Sequence, residues 1–352
     1  MIQELHDLQA AYPGAKFETV AESIVPVSFG NDSAAFVAAQ TGVAVCDRSH
    51  WGLIQVSSED RIRFLHNQST NDFQRRAPGE GCDTVMVTST ARTIDLVTAY
   101  LTEDAVLLLV SPNRRQYLME WLDRFIFYAD KVQLKDVSAE NAAFSLIGPE
   151  SDIVLQHLGA GVMTDQPYGN HNLLQLEDIE VRVAVGSGLA LPGYTLIVSA
   201  SNAIKLWNNI IQAGAAPLGN LIWEQLRIQQ GRPAPGQELT EDYNPLEAGL
   251  WQAISFDKGC YIGQETIARL NTYQGVKQQL WGVSLDAPAQ PGSTITVGNE
   301  KVGLLTSYTN TDQGHLGLGY IRTKAGGIGL KVQIGDAEGE VVDVPFLTHN
   351  YH

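Results

Sequence analysis

WGLIQVSSEDRIRFLHNQ, residues 51–68, decides how the chain reads. A strand-like WGLIQV runs into a segment where Ser57 and Asp60 make a capping-box pattern ahead of Ile62 and Leu65, so a strand passes directly into a helix. Working outward, DTVMVT (83–88), TIDLVTAYL (93–101) and AVLLLV (105–110) read as strands from their β-branched content. SPNRRQYLMEWLDRFIF then reads as a helix with Ser111 as N-cap and Pro112 at its first position. It carries Tyr117, Trp121 and Phe125 on one face, with Leu118 and Leu122 beside them.

KVQLKDV (131–137) closes this unit, and a second follows it. AAFSLIG (142–148), a short helix near 151–158, IEVRVAV (179–185), YTLIVS (194–199) and a helix from Ser201 to Gly214 give the order β-α-β-β-α. The fold class is therefore α+β, with two ferredoxin-like sandwiches. LGNLIWEQLRIQQGRP (218–233) reads as a helix stopped by Gly231 and Pro233. The turn-rich PAPGQELTEDYNPLEAGL (233–250) is expected as an irregular surface loop. From residue 278 the pattern changes to short strands, LWGVSL, STITV, KVGLLTSY, HLGLGYI, LKVQI and GEVVDV, which predict a small β-barrel without helices.

At 352 residues the chain is too long for one ordinary domain of about 100–200 residues. Its net charge of −16 repels phosphate backbones, which argues against nucleic acid as the main ligand. No apolar run reaches the roughly 20 residues of a spanning helix. MIQELHDLQAAYPG at the N-terminus lacks the pattern of a signal peptide, so no membrane partner and a cytoplasmic location are expected. Cys46, Cys82 and Cys260 lie far apart with no C-x-x-C pair, so no disulfide framework and no metal site is expected. His349 and His352 at the chain end, like His50 and His66, carry no ligand pattern. GLGYIR (317–322) does not complete G-x-G-x-x-G, and no βαβ unit follows it.

KGCYIGQE (258–265) is the stretch with chemistry in it. From the residues alone, Cys260 is either an inert thiol in a glycine-rich turn, the commoner state of a free cysteine, or a working thiolate. For the second reading, Lys258 is a neighbouring cation, Gly259 and Gly263 leave the sulfur unshielded, and Gln264 and Glu265 open a helix whose N-terminus favours an anion. Asp95 sits in a strand-like run, where it is either an exposed edge residue or a functional carboxylate. Asn71 and Asp72 fall where a helix would end and could cap it.

LHDLQAAYPGAKFE (5–18), VPVSFG (25–30) and TGVAVCDRSHWGLIQVSSEDRIRFLHNQSTNDF (41–73) resemble the N-terminal region of the glycine-cleavage T-protein, aminomethyltransferase. NPLEAGLWQAISFDKGCYIGQETIAR (244–269) resembles the signature of the related YgfZ-type folate-binding proteins, which serve iron–sulfur cluster assembly and repair. The resemblance implies a three-domain ring of two ferredoxin-like α+β domains and a C-terminal small β-barrel. The expected division is 1–140 with 217–276 as a discontinuous folate-binding domain, 141–216 as the second ferredoxin-like domain, and 277–352 as the barrel.

What the resemblance implies for function is tetrahydrofolate, or a one-carbon derivative, as cofactor, and iron–sulfur client or assembly proteins as partners. Cys260 and Lys258 are then the reactive pair, within a motif of Gly259, Tyr261, Gly263, Gln264, Glu265 and Arg269. Asn71, Asp95, Arg227 and Gln229 are expected to border the folate, with Arg227 as a cation for its glutamate tail. Two departures from the T-protein pattern stand out. Leu96 occupies the place of its key aspartate, and Gln229 that of the glutamate of its R-L-E, so the charge-assisted contact to the pterin is lost. The alternatives are a true aminomethyltransferase, the one-carbon transferase these residues would make if the chain is an enzyme, and a ligand-free interaction scaffold of the same fold.

Overall fold

The structure, a computed structural model, describes residues 2–311 and 314–351; His352 lies outside the described residues. The first half of the chain forms α1 (Ile2–Ala10), β1 (Lys16–Val20), β2 (Ser23–Ser28), α2 (Asp32–Thr41), β3 (Ala44–Asp47), β4 (Gly52–Ser57), α3 (Arg61–Gln68), β5 (Gly81–Val87), β6 (Thr93–Leu101), β7 (Ala105–Val110), α4 (Arg115–Asp123), β8 (Gln133–Asp136), β9 (Asn141–Ile147) and α5 (Ser151–His157). Then come β10 (His171–Leu176), β11 (Ile179–Val185), β12 (Gly193–Ser199), α6 (Ala203–Gln212), β13 (Ala216–Leu218), α7 (Asn220–Gln230) and α8 (Gln264–Thr272). The C-terminal strands are β14 (Gln278–Leu285), β15 (Thr294–Val297), β16 (Glu300–Thr311), β17 (Gly314–Arg322), β18 (Lys331–Ile334) and β19 (Ala337–Val342).

These elements divide into two compact units, one of residues 1–64, 74–82 and 97–224, the other of 65–73, 83–96 and 225–352. The first unit holds a six-stranded sheet in the order β10-β11-β12-β9-β3-β13. It is antiparallel except where β13 runs parallel to β3. Phe144 faces Leu196 across the β9–β12 ladder, and both join a core with Val183, Leu206 and the fully buried Trp207. The amphipathic face of α6 supplies Leu206, Trp207 and Ile210 to that core. A second, five-stranded sheet has the order β5-β6-β7-β4-β8. The second unit contains a closed six-strand barrel, β14-β17-β16-β15-β18-β19, filled by Val283, Ile295, Leu305, Ile321 and Val341. Closure leaves no open sheet edge.

The strand at 93–101 forms as expected, but all nine of its residues are buried. Asp95 is fully buried and therefore not an exposed edge residue; with both faces covered, in–out alternation carries no information there. The capping box is not formed. Ser57 ends β4, and the Asp60 carboxylate accepts the Lys131 amide at 2.9 Å and pairs with Arg63 at 3.2 Å. Ser111 and Pro112 lie in a turn, and α4 starts three residues later, although its aromatic row is present, with Tyr117 stacked on Trp121.

Residues 233–250 are irregular, as expected, but not a surface loop. Leu239, Tyr243, Leu246, Ala248 and Leu250 are all buried. Burial is possible because the backbone is served internally: Asn244 Oδ1 accepts the amides of Leu246 and Glu247, each at 3.0 Å, and the Glu247 carboxylate accepts the Asn244 amide at 3.1 Å.

Candidate functional site

All six residues singled out for chemistry, Asn71, Asp95, Arg227, Gln229, Lys258 and Cys260, fall in the second unit. The loop carrying Cys260 lies against the end of α3. A helix leaves its last carbonyls without intrahelical partners, and here the ammonium of Lys258 meets one of them, that of His66, together with two from the turn that follows. Its Nζ donates to Ser69 O at 2.8 Å, to Asn71 O at 2.6 Å and to His66 O. Three N–H groups meet three carbonyls, and the side chain is buried. The ring of Tyr261 covers the same ammonium, with Nζ 4.7 Å from its centroid. Ile262 N donates to Asn67 O at 2.9 Å, fastening the loop at a second point. Lys258, expected as the activator of the thiol, is thus an anchor between two segments nearly two hundred residues apart in sequence.

Among the three cysteines, Cys260 is exposed, whereas Cys46 and Cys82 are buried. Burial pushes the Cys46 thiol well above its ordinary range. Gly263 precedes α8 with φ +79°, and an added Cβ would stand 2.9 Å from Thr88 O and 3.0 Å from Ala91 Cα. A glycine is required there. Gly259 is not so constrained, its nearest neighbour being His66 Nε2 at 3.8 Å. Gln264 Oε1 accepts the Tyr261 amide at 3.3 Å, and Glu265 and Arg269 sit exposed on the first and last turns of α8. Burial raises the Tyr261 phenol above its ordinary range.

Asn71 does not cap α3, which ends at Gln68. Its side chain reaches β5, donating to Asp83 O at 2.7 Å, while its own amide donates to Thr84 Oγ1 at 3.0 Å. Thr70 completes the fastening, with its hydroxyl on Ala253 O at 2.7 Å. The turn 69–72 is therefore fixed from three sides: by Lys258, by β5 and by the segment before the Cys260 loop. Leu96 belongs to an apolar cluster with Val85, Val87, Leu239 and Leu250.

Arg227 is not an accessible cation. Its Nη1 pairs with Glu238 Oε2 at 2.9 Å, and its Nη2 donates to Ser307 Oγ at 2.9 Å and to Gln237. With these donors engaged inside the protein, it is a buried tie between α7, residues 237–238 and β16, and the role expected for a glutamate tail does not fit. Two residues on, Gln229 is half-buried, and its Oε1 is buried without a hydrogen-bond partner among the described residues. An unsatisfied buried acceptor costs about 1–3 kcal/mol, so a donor meeting it there would be favourable.

The sequence reading missed Glu238, Asn244 and the stack of Tyr243 on Tyr320, whose ring centroids are 3.5 Å apart. Glu238 accepts from Arg227, Ala234 N, Thr306 and Ser307, and Tyr320 donates to its carbonyl at 2.8 Å. The one available signal was the N-P-L-E run, in which Asn followed by Pro marks an Asx-type turn.

Residues 5–258 match the family described as the GCVT N-terminal domain. The chain belongs to this family. It is 48% identical over 335 residues, covering 94% of this chain and 78% of the relative, to a chloroplastic protein of Arabidopsis thaliana that carries the provisional name of a transferase. It is 30% identical over 339 residues, 92% of each chain, to the aminomethyltransferase of Geobacillus thermodenitrificans, and 29% identical over 343 residues to that of Halalkalibacterium halodurans, covering 93% and 92%. The crystal structure of glycine cleavage system aminomethyltransferase T from Bartonella henselae superposes with a TM-score of 0.86 at 18% identity, over 99% of this chain and 98% of that one. The fold of this GCVT-family chain is accordingly T-protein-like, with mixed α/β sheets and a closed C-terminal barrel. No helix among the described residues is long and apolar enough to cross a membrane.

Proposed function

We propose that the protein binds a reduced folate in its second unit and acts as an aminomethyltransferase-like, folate-dependent protein. The observation that carries this is Gln229 Oε1, a buried acceptor without a donor among the described residues, at the position where the T-protein resemblance puts the pterin contact. The N–H groups of a pterin amide edge are donors of the kind it lacks. In this reading Gln229 holds the pterin, the Arg227–Glu238 pair fixes the helix that presents it, and Asn71 and Asp95 border the site. The bound folate would supply the one-carbon carrier. Calorimetric titration with tetrahydrofolate tests the reading: wild type binds, and Gln229→Leu weakens binding about tenfold or more, as loss of one buried hydrogen bond requires. Wild type that takes up no tetrahydrofolate ends the proposal.

Two activities compete for such a folate. The names of the Geobacillus and Halalkalibacterium relatives favour aminomethyl transfer, in which folate accepts a one-carbon unit from a lipoyl-linked amine. Leu96 in an apolar cluster and Gln229 in place of a carboxylate weigh against efficient turnover. The second reading, an accessory role for iron–sulfur enzymes, is favoured by the exposed thiol of Cys260 in KGCYIGQE, since thiolates are the ligands matched to such clusters. Methylenetetrahydrofolate formation by the purified protein from an aminomethylated lipoyl carrier supports the first. Rescue of iron–sulfur client activity by wild type but not by Cys260→Ala, in cells lacking their own YgfZ-type protein, supports the second.

A further inference from the structure

One of the residues proposed to border the folate, Asn71, and the loop that exposes Cys260 are held by the same side chain. Lys258 lies two residues before Cys260, and its ammonium donates to the carbonyl of Asn71 at 2.6 Å, to that of Ser69 at 2.8 Å and to that of His66. Ile262, two residues after Cys260, donates to Asn67 O at 2.9 Å. The thiol therefore sits on a short bridge with both feet on the end of α3 and the turn that follows it. That turn is rigidly tied elsewhere, through Asn71 to Asp83 and Thr84 and through Thr70 to Ala253 and Val85. Residues 69–72 are thus held by β5 and the segment 253–255 and, through Lys258, joined to the Cys260 loop.

We propose that Lys258 is a positioning residue which couples folate occupancy at the Asn71 turn to the placement and reactivity of the Cys260 loop. The proposal rests on the folate reading above. A buried ammonium that satisfies three carbonyls cannot be shifted at one of them without loss at the others, since each unmatched buried carbonyl is unfavourable. A ligand that fixes the Asn71 turn thus fixes the three-carbonyl seat, and with it the residues flanking the thiol. Coupling of this kind is reciprocal for binding: whatever binds reversibly at Cys260 changes the affinity for folate by the same factor.

The test uses the full-length chain, tetrahydrofolate and iodoacetamide. Calorimetry first establishes saturation, and the alkylation rate of the Cys260 peptide and amide hydrogen exchange are then compared with and without the folate. The expected result is alkylation slowed about fivefold, as a loop whose open population falls about fivefold on folate binding requires. Slower exchange should appear together in 66–72 and 258–262, the Ile262 amide included. Lys258→Met, measured at concentrations that saturate it, should lose the dependence of alkylation on folate, and Lys258→Arg should restore part of it; simple shielding of the thiol by the ligand would persist in both. If Lys258→Met does not fold, exchange in the wild type decides. Folate binding that slows exchange at 66–72 but leaves 258–262 unchanged overturns the coupling and leaves the folate reading standing. Absence of folate binding overturns both.

Discussion

Arg227 and Glu238 form a buried ion pair, Nη1 to Oε2 at 2.9 Å, with side chains 3% and 0% exposed. Both oxygens of Glu238 are further satisfied by Ala234 N, Thr306 and Ser307, so the pair is hydrogen-bonded on every side the structure offers. Removing one member strands the other charge away from water, which costs about 3–5 kcal/mol. Glu238→Ala is expected to lose that much in urea unfolding. Replacing the pair together, Arg227→Met with Glu238→Leu, should lose less than the two single changes summed, because well-packed apolar groups can substitute for a satisfied pair. Additive losses would mean that the charges do not act as a unit.

Gly263 and Gly259 flank Cys260 but face different constraints. With φ at +79° and Thr88 O 2.9 Å from an added Cβ, Gly263→Ala meets both strain and a backbone clash. A loss of about 1–3 kcal/mol is expected in thermal or urea unfolding. Gly259→Ala meets only ordinary contact, at 3.8 Å from His66 Nε2, and should fall within about 0.5 kcal/mol of wild type. Equal effects at the two positions would contradict the geometry of the turn.

The strands at 93–101, 105–110 and 179–185 were legible residue for residue, because β-branched runs bounded by turns leave few other conformations. β10, HNLLQL, gave no such signal. It is the edge strand of its sheet, with Leu173 exposed beside Asn172 and the polar His171 buried, so neither alternation nor an apolar run marks it. The loop 233–250 misled for the opposite reason: turn residues usually mean solvent, but Asn244 and Glu247 satisfy its backbone from within. At the candidate site, the glycine geometry around Cys260 was readable locally. The fates of Lys258 and Arg227 were not, since the carbonyls and carboxylate that bind them lie at positions 66–71 and 238, and no local pattern encodes a tertiary partner.

His171 gives the first unit a pH dependence. Its ring is buried, and Arg182, which can only donate, stands 2.8 Å from Nδ1, so that nitrogen accepts and the imidazole is neutral. Burial first, and then the Arg182 charge, lower its pKa from the ordinary 6.5 to about 4. The unfolded chain takes up a proton as pH falls below about 6.5 while the folded state does not until about 4. Stability is thus full above that window, is lost as pH falls through it, and loses nothing more from this group below it. By linkage the loss at pH 4.5 is about 2 kcal/mol, and His171→Gln should flatten the fall between pH 6.5 and 4.5 in urea titrations. An unchanged slope in the variant would assign the acid sensitivity elsewhere.

Cys260 should separate from the other two cysteines in a single experiment. It is exposed in the loop before α8, whereas Cys46 lies in β3 with its thiol pKa raised by burial, and Cys82 is buried in β5. Thiol reagents act on the accessible thiolate. Native protein is therefore expected to take up one equivalent of iodoacetamide quickly and two more only after denaturation, with the fast equivalent absent in Cys260→Ala. That substitution removes no packed core atom, so its stability should stay within about 1 kcal/mol of wild type. Two fast equivalents under native conditions would show that a second cysteine is accessible. A large loss of stability in Cys260→Ala would return the sulfur to a packing role and remove the ground for assigning it chemistry.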